Sequence, residues 1–334
     1  MRSLSAVNAA ELATQRDLRF AKIGIAIALF SGMTWGLDGV VLGHALTMPP
    51  FLNPDLWLLA PLTAAAMHDT SSALAITCIN FYAGKHQEIF RSLCSKPGKF
   101  VCLGALMGGP IGMGGYLIAL KFAGPAFVLP ITTLYPAIAS LLAVVVLKEK
   151  ITKLAWAGLG MCILGAIIIG YTPPSGETSE FFYLGLAFAF VATIGWGAEG
   201  VCSAYGMDLL DPSIVLNIRQ LVSASTYLLV ILPAVGGYAV LSDAAFDVSG
   251  NFILFAGILG AASYLSWYKA MNMTGVSRAM GINVTYALWG IIFSSVFMDT
   301  ELTASLVLGA LTITAGMIMV VGNPKDIVNL RNVE

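Results

Sequence analysis

Trp35-Gly36-Leu37-Asp38-Gly39-Val40 and Trp196-Gly197-Ala198-Glu199-Gly200-Val201 are two near-copies of one short motif. Each lies inside a hydrophobic run long enough to cross a bilayer. The repetition implies an internally duplicated chain that sits in a membrane and holds an acid beside an aromatic at membrane depth in both halves. An ionisable side chain at the centre of a membrane helix costs about 2.5–3.5 kcal/mol on insertion scales, so two at matching positions point to a role. A Trp with a carboxylate one helical turn away is an arrangement that holds a small organic cation.

Composition agrees with the motif. The 334 residues are 58% hydrophobic and 10% charged, with mean hydropathy +0.85. Soluble domains carry about 25% charged residues, which excludes that class. A net charge of −1 without a basic stripe gives no sign of nucleic acid. Cys78, Cys94, Cys102, Cys162 and Cys202 show no metal-ligand spacing and are expected as small buried hydrophobes. Neither a metal nor a cofactor is predicted. The first apolar run follows Arg16, Arg19 and Lys22 but is too long for a typical signal peptide and lacks an Ala-x-Ala exit. It reads as an uncleaved first span.

A helix needs about 20 apolar residues to cross the hydrocarbon core. That rule predicts an all-α membrane protein of ten spans: 22–46, 57–82, 100–121, 125–147, 153–171, 182–206, 213–236, 252–270, 276–298 and 302–322. The longest connection, about 83–99, leaves no room for a soluble catalytic domain, and an enzyme is not expected.

Lysine and arginine set the orientation. They gather in the N-terminal segment (Arg2, Arg16, Arg19, Lys22) and after span two (Lys85, Arg91, Lys96, Lys99). Further ones follow span four (Lys148, Lys150, Lys153) and span ten (Lys325, Arg331). The loops after spans one, five, seven and nine have none, and Lys121 is the exception. Both termini are predicted to be cytoplasmic, in a multi-pass protein of the cell membrane whose surroundings are the lipid bilayer.

The duplication reaches further. Tyr116-Leu117, Lys121, Gly124, Tyr135 and Thr152 run parallel to Tyr264-Leu265, Lys269, Gly275, Tyr286 and Thr303. The repeat unit is five spans, and an odd number of crossings inverts the second copy. The expected organisation is a cytoplasmic N-terminal segment at 1–21, five-helix repeats at 22–171 and 182–322, and a cytoplasmic tail at 323–334. In inverted-repeat transporters the substrate site lies near the midplane, where the repeats meet.

Trp35, Tyr135, Trp196 and Tyr286 all fall near their helix midpoints, so four aromatics at one depth are expected to form a ring. Asp38 stands one turn outward of Trp35 and Glu199 one turn inward of Trp196, each on its tryptophan's face. A quaternary ammonium suits such a layer, because it binds aromatic faces through cation–π attraction and donates no hydrogen bond. Trp289 and Asn283, each one turn from Tyr286, are expected on the same cavity face. Asp69 and Arg219 reach similar depths in spans two and seven. Two roles are open for them: a direct pair, which is preferred, or a proton or ion relay through His68 and Asp69. Adjacent positions on a helix are expected to point His68 and Asp69 apart. Gly104, Gly108 and Gly112 read as a close-packing stripe, with Pro110 as a kink.

Ten spans in two inverted halves resemble the drug/metabolite transporter superfamily, its EamA-type members, and more finely its bacterial choline transporter branch. The stretches that carry the likeness are Trp35-Gly36-Leu37, His68-Asp69, Gly109-Pro110-Ile111-Gly112-Met113, Leu134-Tyr135-Pro136-Ala137-Ile138, Trp196-Gly197 with Glu199, Ile218-Arg219-Gln220, and Gly281-Ile282-Asn283-Val284 with Tyr286 and Trp289. The resemblance implies a transporter of a choline-like cation, with Trp35, Trp196 and Tyr286 as cage aromatics and Glu199 as counter-ion. Asp38 departs from the branch, where a small residue stands, and leaves room for another amine or for proton coupling. Competing functions are an exporter of amines or amino acids, a lipid-modifying membrane enzyme, and a receptor or scaffold. An enzyme would need polar groups near the headgroups, and a scaffold would not need two acids at mid-depth.

Overall fold

A computed structural model describes residues 2–147, 153–171, 180–274 and 276–321. Lys148, Lys150, Thr152, Gly275, Lys325, Arg331 and the tail 323–334 lie outside them. Every regular element among the described residues is helical.

In chain order these are α1 (Arg2–Ala45), α2 (Leu59–Tyr82), α3 (His86–Leu93) and α4 (Lys96–Leu106), then α5 (Gly114–Ala123), α6 (Pro125–Thr132), α7 (Tyr135–Leu147) and α8 (Lys153–Tyr171). The second half holds α9 (Phe182–Met207), α10 (Pro212–Thr226), α11 (Leu232–Val235) and α12 (Tyr238–Ala245), then α13 (Val248–Thr274), α14 (Val276–Asn283), α15 (Tyr286–Phe297) and α16 (Ala304–Val321). A π-helical turn, Met107–Met113, joins α4 to α5, and another, Tyr227–Ile231, joins α10 to α11. Five stretches are long and apolar enough to cross a membrane: Lys22–Ala45, Lys96–Ala123, Phe182–Met207, Pro212–Val235 and Val248–Met273. Shorter apolar helices occupy Pro125–Ala139, Trp156–Ile169, Gly281–Phe297 and Ala304–Met319.

Two spans predicted as continuous are interrupted. Residues 125–147 divide at Thr133-Leu134, and 276–298 divide at Val284-Thr285. In the first, Pro136 has no N–H for the carbonyl of Thr132, so the ladder cannot run through. Hydroxyls bond carbonyls beside both breaks: Thr132 Oγ1 donates to Leu129 at 2.9 Å, Thr133 Oγ1 to Pro130 at 2.6 Å and Thr285 Oγ1 to Ile282 at 2.9 Å. Such re-satisfaction is what makes broken helices tolerable at membrane depth.

Packing follows the motif glycines. α1 lies along α13 and α15, while α9 lies along α4, α5 and α7. α2 packs on α10, and α8 packs on α16. A Cβ on Gly36 would stand 2.9 Å from Trp289 Cβ and 3.0 Å from the Tyr286 carbonyl. One on Gly197 would stand 2.9 Å from Ile138 Cβ and 3.0 Å from the Tyr135 carbonyl. Each glycine therefore admits the start of the second half of a broken helix. Of the five cysteines only Cys162 is buried; Cys78 and Cys94 are exposed, contrary to the expectation that they lie inside.

Candidate functional site

The helix breaks place two tyrosines. Tyr135 and Tyr286 are the first residues of α7 and α15, and each reaches the opposite break. Tyr135 Oη donates to Asn283 Oδ1 at 3.3 Å, and Tyr286 Oη to Thr132 Oγ1 at 3.1 Å. Beside this crossing lies a small cavity. Its wall is aromatic: Trp35, Tyr135, Trp196, Tyr264, Trp267 and Tyr286, all buried. Trp35 stands edge-on to Trp196 at 5.4 Å and to Tyr264 at 5.3 Å between centroids, and Trp267 stands edge-on to Tyr135 at 5.7 Å. Ser31, Ser263 and Asn283 supply a polar corner, tied by Asn283 Nδ2 to Ser31 Oγ at 2.9 Å and Ser31 Oγ to the Ser263 carbonyl at 2.8 Å. Glu199 is the acid in this wall.

The glycine stripe positions the α9 side of the cavity. A Cβ at Gly112 would fall 2.7 Å from the Trp196 indole, and one at Gly108 would fall 1.6 Å from Glu199 Oε2. The π-turn around Pro110 leaves two carbonyls to accept side-chain donors: Trp196 Nε1 bonds Gly108 at 3.1 Å, and Tyr227 Oη bonds Gly109 at 3.1 Å. The kink expected at Pro110 is this turn, and it holds the tryptophan by both its ring and its N–H.

Behind the cavity runs a buried chain of charges. Arg219 Nε donates to Glu199 Oε1 at 2.9 Å and Nη2 to Oε2 at 3.4 Å, with Cζ 4.8 Å from the centre of the Tyr264 ring. Arg219 Nη1 bonds Gln220 Oε1 at 2.8 Å and Asp69 Oδ2 at 3.4 Å. Ser223 Oγ donates to Asp69 Oδ2 at 2.5 Å. His68 bridges two carboxylates, with Nδ1 3.0 Å from Asp69 Oδ1 and Nε2 3.1 Å from Asp38 Oδ1. Asp38, His68, Asp69, Arg219 and Glu199 thus form one connected network, and all five are buried.

Several expectations need correction. Asp38 does not line the cavity; it faces His68, because the carboxylate turns toward α2 instead of staying over Trp35. Trp289 is half-buried and stacks on Phe293 at 5.9 Å, its Cβ taken up by packing on Gly36. The expected Asp69–Arg219 pair is present at 3.4 Å; what the expectation lacked is the shorter pair of Arg219 with Glu199 at 2.9 Å. His68 and Asp69 meet although adjacent, since both side chains bend toward one point. Trp35, Tyr135, Trp196, Glu199, Asn283 and Tyr286 do come together. Tyr264, Trp267, Ser31 and Ser263 were not predicted for the wall. Tyr264 is visible in the duplication as the partner of Tyr116, and Trp267 stands one turn after it.

Two lysines close the ends. Lys121 Nζ donates to the Phe51 carbonyl at 2.6 Å, which absorbs the charge that breaks the lysine pattern. Lys85 pairs with Asp211 at 2.9 Å and donates to Ser213 Oγ at 3.2 Å. Partial burial pushes the Asp211 carboxyl up, but hydrogen bonds from Ser213 and Lys85 outweigh it and hold the group below its ordinary value.

The chain matches the family described as EamA-like transporter over residues 22–171 and 183–322. Protein LicB of Haemophilus influenzae is 30% identical over 220 residues, which are 65% of this chain and 73% of that protein. A solved crystal structure with 15% identity superposes with a TM-score of 0.61 over 89% of this chain and 96% of that one, a likeness of fold alone.

Proposed function

This chain belongs to the EamA-like transporter family of multi-pass membrane proteins, and from that premise we propose that it moves choline or a similar small quaternary ammonium or amine solute by alternating access. The observation that carries the proposal is the aromatic cavity with one acid, Glu199, in its wall. A quaternary ammonium has no N–H to satisfy, so ring faces and one carboxylate meet its needs, while its hydroxyl can use the Ser31–Asn283 corner. A more strongly hydrated primary amine would leave donors unpaired against the rings.

The transport cycle in this proposal uses ten spans in two inverted five-span repeats with both termini cytoplasmic. Support comes from the two matched ranges, 22–171 and 183–322. It also comes from the exchange of hydroxyl bonds between the two broken helices and from the equivalent packing of Gly36 and Gly197. Discontinuous helices meeting at a midplane site are the usual construction of such transporters. His68 held between two carboxylates favours a proton relay over a simple Asp69–Arg219 pair, and we assign proton coupling to Asp38, His68 and Asp69. The test is uptake of labelled choline into liposomes containing the purified protein. Accumulation above protein-free liposomes is expected; no choline movement together with outward movement of an amine or amino acid would replace this function with export.

A further inference from the structure

Resting on that reading, we infer that Arg219 is a resident stand-in for the substrate cation: it occupies Glu199 and yields it to the ligand by shifting onto Asp69. Arg219 already makes both contacts an ammonium would seek there, a carboxylate at 2.9 Å and a ring face at 4.8 Å. A cation entering beside Glu199 meets a carboxylate whose charge is neutralised and a guanidinium that repels it. A cation therefore gains Glu199 only by displacing Arg219 from it. The second acceptor is in place: Asp69 Oδ2 lies 3.4 Å from Nη1, and Gln220 holds the same nitrogen at 2.8 Å as a pivot.

The planar fork of arginine reaches two acids at once, which a lysine ammonium cannot do from one position. Moving onto Asp69 also changes what His68 faces, since Asp69 shares its other oxygen with His68. Occupancy of the cavity is thereby carried to Asp38 without any contact between Asp38 and the ligand. The exchange makes displacement of Arg219 a cost that a cation bears and a neutral molecule does not. A neutral molecule of choline's shape gives Arg219 no reason to leave.

The experiment compares binding of choline and of its neutral isostere, with a quaternary carbon in place of the nitrogen, to wild type and Arg219→Gln by equilibrium titration. In Arg219→Gln the preference for choline over the isostere should rise about tenfold, equivalent to about 1.4 kcal/mol. Equal weakening of both ligands would make Arg219 a scaffold and overturn the inference, as would an unchanged or smaller preference. Wild type that binds neither ligand would instead sink the transport assignment itself. A structure of wild type with choline bound decides the matter even if the variant does not fold. The Arg219 Nε to Glu199 Oε1 distance should exceed about 3.5 Å, beyond hydrogen bonding, with Arg219 drawn closer to Asp69. A Glu199 pair still intact beside bound choline overturns the exchange.

Discussion

Replacing Gly108 by alanine puts a methyl group where Glu199 now lies. The new Cβ would stand 1.6 Å from Oε2 and 2.3 Å from Cδ, whereas ordinary contact begins near 3.4 Å. The carboxylate must then retreat by about 1.8 Å, the difference between those two distances. That retreat breaks the 2.9 Å bond to Arg219. Uncoupling a buried pair costs about 3–5 kcal/mol when one charge is left without its partner. Residual contact of Arg219 with Asp69 and Gln220 offsets part of it, so a loss of about 2 kcal/mol in stability and a loss of at least about tenfold in choline affinity are expected. The assay is choline titration together with thermal unfolding in detergent. Gly160→Ala is the control, because nothing lies within 4 Å of its new Cβ. It should bind like wild type and melt no lower, since alanine is better than glycine in a helix by about 1 kcal/mol. A folded Gly108→Ala that binds choline within about twofold of wild type, a difference under 0.5 kcal/mol, would refute the placement of Glu199 against the ligand.

Asp38→Asn should retain choline binding, because Asp38 faces His68 and not the cavity, while the pH dependence of uptake changes; binding lost outright would return Asp38 to the site. Asp211→Ala removes the cap of α10, where Oδ1 accepts from the Ser213 N–H at 2.8 Å, and should cost about 1 kcal/mol in thermal unfolding, with Asp211→Asn intermediate because it keeps the cap oxygen and loses the Lys85 pair. Because the folded Asp211 value is depressed, the ionised group's stabilisation is present above the unfolded carboxylate pKa and fades as pH falls through the lower folded value. The Asp211→Ala deficit should therefore be full at neutral pH and shrink only in acid. Reporter fusions after Arg91 and after Phe246 should report opposite sides of the membrane; the same side for both contradicts the five-plus-five arrangement.

The cavity was legible in the sequence where chemistry repeats. Trp35 and Trp196 announce it because a motif occurring twice at membrane depth has few other causes, and Tyr135 and Tyr286 follow from the duplication. Relative height along the bundle was readable and rotation was not. Asp69 and Arg219 lie at similar heights, yet nothing in spacing along one helix says that Glu199, on a third, is nearer to the guanidinium. The same blindness misplaced Asp38 and Trp289, whose spacing from Trp35 and Tyr286 was right while their faces turned to α2 and to Phe293. The helix breaks had local signals in Pro136 and Gly281, but hydropathy continues across them, so a count of apolar residues passes straight through. Tyr264 and Trp267 sit in an unbroken span without an acid one turn away to single them out.

Choline affinity of Trp196→Phe and Trp196→Ala, measured beside wild type by equilibrium titration, tests the aromatic cage most directly. Trp196 lies edge-on to Trp35 and is anchored to Gly108 through its N–H. A desolvated cation–π contact is worth about 2 kcal/mol, or roughly thirtyfold in affinity. The account predicts that loss for Ala and an intermediate loss for Phe, which keeps part of the ring face. Wild-type affinity in both variants, each folded, would mean that the ring packs the bundle and that the cation is bound elsewhere.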